Sequence, residues 1–180
     1  MSHHIVLTGV ESTFKSALAK ALGDYLALEV VDEYARIFLE ELDGSVDMND
    51  FPVDLLDQIS DGQLKLQHVN GYYDPEKTSK IFDTDMLTLG VWSQDKFNIF
   101  KQEYFSAPQH IIYLLCVPSN NFTPDPLRVD GDRRSALHEN YKKALESSSN
   151  VVIELCELTF EKRFKEDTRA LEQIGFIPLD

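Results

Sequence analysis

Residues Gly9–Ser16, GVESTFKS, decide the fold predicted for this chain. They follow the short apolar run Ile5–Thr8 and lead into an amphipathic segment that begins at Lys15, so they stand between a predicted strand and a predicted helix. Their spacing matches three of the four fixed positions of the pattern G-x-x-x-x-G-K-[ST], and Phe14 stands where that pattern has glycine. The sequence therefore predicts a phosphate-binding loop, here called the phosphate loop.

The chemistry of such a loop explains its spacing. Backbone N–H groups point inward to form an anion site, and the helix that follows adds the partial positive charge of its N-terminus. We expect Lys15 to reach the β- and γ-phosphates of ATP and the Ser16 hydroxyl to ligate Mg²⁺. The residues expected to contact the nucleotide are Gly9, Glu11, Ser12, Thr13, Phe14, Lys15 and Ser16.

Phe14 leaves two interpretations open. Glycine at this position lets the backbone approach a phosphate closely and adopt conformations that a Cβ atom disfavours. The Phe14 ring must therefore either turn away from the nucleotide or block it. A chance match to the pattern is the competing interpretation, although the position of the match between strand and helix disfavours it.

Apolar and polar segments alternate along the chain in the manner of strands and helices. The predicted strands are Ile5–Thr8, Leu28–Val31, Ile81–Phe82, His110–Val117 and Val151–Leu155. The predicted helices are Lys15–Leu26, Glu33–Leu42, a helix from about Pro52 that ends before Gly71, Met86–Phe105, Ser135–Glu146 and Phe160–Ile174. This order predicts an α/β fold with a five-stranded parallel sheet and right-handed helical crossovers.

Two carboxylates follow the third predicted strand, in the stretch Phe82-Asp83-Thr84-Asp85. Residues two apart on a strand share a face, and ligands of open α/β sheets bind at the carboxyl ends of the strands. We expect Asp83 to act as a metal carboxylate and Asp85 to orient or deprotonate an acceptor hydroxyl. The alternative for Asp85 is that it caps the next helix, which is a common role for aspartate.

A proline- and arginine-rich segment spans about residues 119–134 and contains Arg128, Arg133 and Arg134. Arginines in such a loop can close over phosphates and neutralise the charge of a transferring phosphoryl group. This interpretation makes residues 119–134 a lid. The alternative is a solvated loop in which the arginines pair with Asp125, Asp130 and Asp132.

The composition excludes several classes of function. The chain has 180 residues with 31 Asp or Glu and 17 Lys or Arg, a net charge of −14, which disfavours a nucleic-acid partner. No apolar stretch is long enough to cross a membrane, and the N-terminus turns polar too early for a signal peptide. Cys116 and Cys156 each lie in an apolar run and are expected to be buried thiols, so we expect a reduced, cytoplasmic protein.

Taken together, these segments resemble the ribosylnicotinamide kinase domain of NadR-type enzymes and the single-domain NadR-like P-loop ATPases. The motifs that carry the resemblance are TGVESTFKSALAKAL from Thr8, DEYAR at Asp32–Arg36, GQ at Gly62–Gln63, FDTD at Phe82–Asp85, WSQDKF at Trp92–Phe97 and PDPLRVDGDRR at Pro124–Arg134. They span nearly the whole chain in the order of the family. The family has glycine where this chain has Phe14, and often proline where it has Val10.

The resemblance implies a three-layer P-loop NTPase fold of the nucleoside-kinase type, formed as one domain by residues 1–180. It also implies that Lys15 and Ser16 hold the triphosphate and Mg²⁺, with Asp83 as the metal carboxylate. Glu33, Tyr34 and Arg36, with Asp85, would bind the acceptor. The arginines of the segment 119–134 would belong to the lid.

Two hypotheses about function follow from these observations. The first is a kinase that transfers a phosphoryl group from Mg·ATP to a nucleoside-like hydroxyl, with ribosylnicotinamide as the first candidate. The second is a degenerate P-loop protein that binds a nucleotide or metabolite without kinase activity. A switch GTPase is disfavoured because the guanine motif N-K-x-D does not occur in the sequence. The partners expected are a nucleotide and a small nucleoside-like substrate, and a homodimer stays open.

Overall fold

A five-stranded parallel β-sheet forms the centre of the fold. The structure is a computed structural model that describes residues 2–42, 46–48, 50–119 and 133–176. The strands are β1 (His4–Thr8), β2 (Val30–Val31), β3 (Ile81–Asp83), β4 (Ile111–Cys116) and β5 (Val151–Leu155). Their order across the sheet is β2-β3-β1-β4-β5, so the strand that leads into the phosphate loop is central.

Six α-helices accompany these strands within the described residues. They are α1 (Lys15–Leu26), α2 (Tyr34–Glu41), α3 (Val53–Val69), α4 (Met86–Phe97), α5 (Arg134–Glu146) and α6 (Phe160–Gln173), and a 3₁₀ helix spans Gln102–Phe105. The prediction of an α/β fold with a five-stranded parallel sheet between helices is confirmed.

The central strands β1 and β4 are buried on both faces of the sheet, which is why they are apolar at successive positions. On β1, Ile5 and Leu7 face a core formed with α1 and α6. Val6 faces the opposite core, which α4 and α5 complete with Leu87 and Leu137. The alternation of side chains along a strand thus produces three layers. A third apolar cluster joins α2, α3 and α4 beside the sheet.

The register of the central strands places the polar residues of the site at one edge. Leu7 of β1 lies opposite Asp83 of β3 and Leu114 of β4. The phosphate loop leaves β1 at this carboxyl edge, so Asp83 and the loop lie close together. The hydrogen bond from the Thr84 N–H to the Leu7 carbonyl, at 3.1 Å, extends the pairing of these two strands.

The fourth helix is shorter than the sequence predicts. The helix expected over Met86–Phe105 ends at Phe97, because Asn98 adopts a left-handed conformation with φ 55° and its N–H bonds to the Gln94 carbonyl. The chain then resumes as a short 3₁₀ helix in which Tyr104 is buried. The apolar spacing continues across the break, which is why periodicity alone predicts one helix.

Two further expectations about buried segments differ from the structure. Cys116 is buried in β4 as expected, but Cys156 is exposed because it follows the last residue of β5 and leaves the sheet. The second strand begins at Val30 rather than Leu28, because Ala27 closes α1 in a left-handed conformation and Leu28 donates its N–H to Gly23. In the described part of the chain, no helix combines the length and the apolar content required to span a bilayer.

Candidate functional site

The phosphate loop contains three residues with positive φ. Gly9 has φ 122°, Ser12 has φ 55° and Phe14 has φ 68°. A Cβ atom on Gly9 would lie 2.8 Å from the carbonyl oxygen of Cys116, so glycine is required there by both conformation and space. Phe14 adopts the left-handed conformation that glycine adopts without strain. Phe14 therefore has a backbone conformation that glycine favours, although it carries a Cβ atom.

Two side chains of the loop bind the same main-chain oxygen. Lys15 donates from Nζ to the Val10 carbonyl at 2.7 Å, and Thr13 donates from Oγ1 to it at 2.8 Å. The first of these bonds brings the Lys15 ammonium across the loop, beside the cavity that the loop lines. A phosphate bound in the loop would meet this ammonium, which is how the sequence predicts Lys15 to act.

The Phe14 ring packs toward α6. Its centroid lies 6.3 Å from that of Phe160, and the planes are inclined by 71°, an edge-to-face contact. The side chain is 42% exposed and also lines the cavity. The contact with Phe160 draws the ring to the α6 side of the loop.

Asp83 lies behind the start of α1. It is 4% exposed, and burial raises its pKa, while a hydrogen bond from Ser16 and the charge of Lys15 act in the opposite direction. Its Oδ1 atom has no hydrogen-bond partner among the described residues. A buried carboxylate oxygen without a partner, beside a serine hydroxyl, is the kind of oxygen donor that Mg²⁺ takes. The residues present thus fit the expected ion.

Asp85 is enclosed by hydrogen-bond donors. Its Oδ2 accepts from the Tyr72 hydroxyl at 2.6 Å and from the Tyr113 hydroxyl at 2.7 Å, and its Oδ1 accepts from the Leu87 N–H at 3.1 Å. Burial raises its pKa, and the two tyrosines act against that rise. The last contact is the helix cap that the alternative interpretation predicts. Asp85 also lines the cavity, and its role toward a substrate stays a prediction.

A single cavity of about 470 Å³ joins the phosphate loop to a chamber between α2, α3 and α4. The chamber is mostly apolar, and Trp92 closes one side with its ring packed edge-to-face on Phe51 at 4.8 Å. The other apolar residues that line it are Leu39, Met48, Ile59 and Leu89. A mostly apolar chamber with few polar groups is typical of a small-molecule site.

Gln63 is the polar group of the chamber whose orientation the structure fixes. Gln67 accepts the N–H of Met86 through its Oε1 atom at 3.2 Å. The contact of Gln63 with the same oxygen, at 3.4 Å, must therefore be donated by the Gln63 NH₂ group. This leaves Oε1 of Gln63 as an acceptor on a residue that lines the cavity.

Three of the four residues predicted to bind an acceptor lie at or near the start of α2. Glu33 and Arg36 line the cavity, and Arg36 also pairs with Glu40 at 3.2 Å. Tyr34 is not among the described residues that line the cavity. Its ring packs on α3 over Gly62, where an added Cβ atom would lie 2.0 Å from the ring. The structure thus brings Glu33 and Arg36 to the cavity and uses Tyr34 to join α2 to α3.

Two of the three predicted lid arginines can be placed. Arg133 pairs with Asp95 of α4 at 2.7 Å. Arg134 is buried at the start of α5 and donates to the carbonyls of Ser12 and Ser119, at 3.1 Å and 2.7 Å. Arg128 and residues 120–132 of the predicted lid lie outside the described residues.

Sequence reasoning missed most of the chamber. Leu39, Met48 and Ile59 carry no chemical signal, because apolar residues at helical spacing also form ordinary cores. Gln63 appears in the sequence only as part of a GQ pair, without a role. Arg163 belongs to no motif of the sequence, although it is 1% exposed and donates to the carbonyl of Thr13 in the phosphate loop at 2.7 Å.

The fold and the loop define the class of this protein. A parallel sheet between helices, with a phosphate loop between its central strand and α1, is a P-loop fold of the nucleoside-kinase type. The chain belongs to the AAA domain family, whose model matches residues 4–163. No curated protein sequence matches the chain.

Solved structures show the same fold. A structure of NadR protein in complex with NR is 18% identical with a TM-score of 0.74, and the match covers 99% of this chain and 53% of that one. Deoxyadenosine kinase from M. mycoides with bound dATP is 13% identical with a TM-score of 0.66, covering 94% of this chain and 99% of that one. Thymidylate kinase from Candida albicans is 8% identical with a TM-score of 0.69, covering 97% and 92%.

These similarities confirm the NadR-like P-loop fold that the sequence motifs predict. The chain spans about half the length of the NadR protein it matches. It spans nearly the whole of the two nucleoside and nucleotide kinases.

Proposed function

We propose that this protein is a kinase that transfers a phosphoryl group from Mg·ATP to a hydroxyl of a nucleoside-like acceptor, with ribosylnicotinamide as the first candidate. The observation that carries the proposal is the continuous cavity that joins the phosphate loop to an apolar chamber. A phosphoryl donor on the loop and an acceptor in the chamber would meet inside one cavity. The match to a structure of NadR in complex with NR supports the choice of acceptor.

The proposed roles of the residues on the donor side follow from where they lie. Lys15 would bind the β- and γ-phosphates, and Ser16 and Asp83 would hold Mg²⁺. When bound, the ion supplies positive charge that neutralises the phosphates. Arg134 would fix the loop, because its guanidinium donates to the Ser12 carbonyl at 3.1 Å.

The proposed roles on the acceptor side belong to residues at the mouth and the end of the chamber. Glu33 and Arg36 would bind the hydroxyls of the acceptor sugar at the mouth. Asp85, which lines the cavity, would orient or deprotonate the acceptor hydroxyl, with its carboxylate fixed by two tyrosine hydroxyls. Gln63 would accept a hydrogen bond from the acceptor's ring substituent, which favours a carboxamide or amine over a carboxylate.

The test is a phosphorylation assay with ATP, Mg²⁺ and a panel of ribosides. We expect turnover of ribosylnicotinamide and a lower kcat/KM for the matching riboside that carries a carboxylic acid. We expect Lys15→Ala to lower the rate by about 100-fold or more, because it removes the cation that contacts the transferring group. Lys20→Ala is the matched control, since Lys20 is an exposed lysine of the same helix. An unchanged rate with Lys15→Ala would contradict the assignment.

A second candidate function rests on Phe14, whose exposed side chain lines the cavity at the phosphate loop. In that alternative the protein binds a nucleotide or metabolite without transferring phosphate. The variant Phe14→Gly separates the two. A degenerate loop should gain affinity for ATP when the glycine is restored, whereas a competent kinase should change little.

A further inference from the structure

Helix α6 contacts the one residue of the phosphate loop that departs from the expected pattern. Two side chains in its first turn reach the loop. Phe160 packs on the ring of Phe14 at 6.3 Å, and Arg163 donates from Nη1 to the carbonyl of Thr13 at 2.7 Å. The two contacts thus involve adjacent residues of the loop, Phe14 and Thr13 respectively.

Arg163 is held in place by the sheet and by the segment before α6. It is 1% exposed, and its Nη2 donates to the Val117 carbonyl and its Nε to the Glu157 carbonyl, each at 2.7 Å. A planar guanidinium bound at three oxygens has little freedom to turn. The Thr13 carbonyl therefore accepts its hydrogen bond from a guanidinium that is itself held in place.

This bond is coupled to the backbone conformation of Phe14. The Thr13 carbonyl and the Phe14 N–H belong to one planar peptide group, and the orientation of that plane sets the φ of Phe14. If Phe14 moved from φ 68° to a negative φ, this plane would rotate and the Thr13 oxygen would leave Arg163. On the other side, the Phe14 carbonyl accepts the Leu18 N–H at 2.8 Å. Both peptide planes beside Phe14 are thus held.

We propose that α6 compensates for the missing glycine. Arg163 is a positioning residue that keeps the Phe14 backbone in the left-handed conformation, and Phe160 holds the Phe14 ring on the α6 side of the loop. Because this peptide is trans, the group that presents its oxygen to Arg163 directs the Phe14 N–H away from Arg163. For its functional consequence this inference rests on the proposed function, in which the loop binds a phosphate.

The test is a double-mutant cycle between Phe14→Gly and Arg163→Gln, measured first on unfolding by urea without nucleotide. With Phe14 present, loss of Arg163 lets the strained positive φ relax, and this relief offsets part of the lost bond energy. Glycine adopts positive φ without strain, so no relief is available, and Arg163→Gln should cost more stability when Phe14→Gly is already present. We expect the effect of Arg163→Gln on the unfolding equilibrium constant to differ by about tenfold between the two backgrounds. The carbonyls that lose Arg163 are the same in both, so their cost cancels.

Equal effects of Arg163→Gln in the two backgrounds would overturn the inference. Arg169→Gln is the matched control, because Arg169 is an exposed arginine of the same helix, and it should show no coupling to Phe14→Gly. If Arg163→Gln does not fold, Arg163→Lys takes its place in the cycle, since lysine keeps the charge but loses the fork that binds three oxygens.

The same four proteins titrated with Mg·ATP separate this inference from the proposed function. We expect Arg163→Gln to weaken ATP binding about tenfold and Phe14→Gly to restore most of that loss. Coupling in stability with no ATP binding by any of the four proteins would overturn the proposed function and leave the role of α6 intact. ATP binding without coupling would overturn the role of α6 alone.

Discussion

We expect Asp167 of α6 to give the protein a pH-dependent stability that one substitution removes. Its side chain is fully buried, and neither carboxylate oxygen has a hydrogen-bond partner among the described residues. Burial raises its pKa from 3.8 to about 8, although the charge of Arg163 acts against that rise. The folded protein therefore keeps this carboxyl protonated at neutral pH, and the unfolded chain ionises it.

The sign and size of the effect follow from this difference in pKa. Between about pH 4 and pH 8 the unfolded chain has lost the proton that the folded protein retains, so stability falls as the pH rises and levels off above about 8. At about 1.4 kcal/mol for each pKa unit, ionisation of Asp167 costs about 4 kcal/mol more at about pH 9 than at about pH 5. Asp167→Asn removes this titration with little change in shape.

The assay is unfolding by urea, followed by the fluorescence of Trp92, at about pH 5 and about pH 9. We expect the free energy of unfolding of Asp167→Asn, relative to the unchanged protein, to rise by about 4 kcal/mol between the two pH values. Glu172→Gln, at an exposed carboxylate of the same helix, should show no such change. A difference that is the same at both pH values would refute the reasoning.

The remaining predictions concern two glycines and the thiols. Gly9→Ala should lower the free energy of unfolding by about 2 kcal/mol or more in urea titrations, because the new Cβ atom would lie 2.8 Å from the Cys116 carbonyl at a φ of 122°. Gly62→Ala should cost about 1–3 kcal/mol in the same assay, since its Cβ atom displaces the Tyr34 ring; an unchanged midpoint would show that the ring does not pack there. A thiol reagent should modify exposed Cys156 in the folded protein and reach Cys116, whose pKa burial raises to about 12, only after unfolding.

The parts of the fold that the sequence predicts are those with a local signal. Strand β5 (Val151–Leu155) and helix α1 (Lys15–Leu26) both have the predicted bounds, because each combines a regular apolar pattern with clear boundaries. The break at Asn98 could not be predicted, since a single residue with positive φ interrupts a pattern that otherwise continues.

The residues of the candidate site also separate into those with a local sequence signal and those without one. The phosphate loop and Asp83 could be found because each lies in a short motif with a mechanism attached to it. Gln63 could not, because its orientation depends on the contact of Gln67 with Met86, 19 positions further along the chain. Arg163 could not, because its partner in the loop is far away in the sequence. Arg163 contacts the carbonyl of Thr13, 150 positions earlier, and no spacing rule connects two such residues.

The measurement that tests the central claim most directly is calorimetric titration of the protein with ATP and Mg²⁺, with Lys15→Ala beside it. We expect saturable binding that Lys15→Ala weakens strongly and Lys20→Ala leaves unchanged, because the Lys15 ammonium lies across the phosphate loop, 2.7 Å from the Val10 carbonyl. Absence of binding at millimolar ATP, or binding that Lys15→Ala leaves unaltered, would contradict a working phosphate site in this loop.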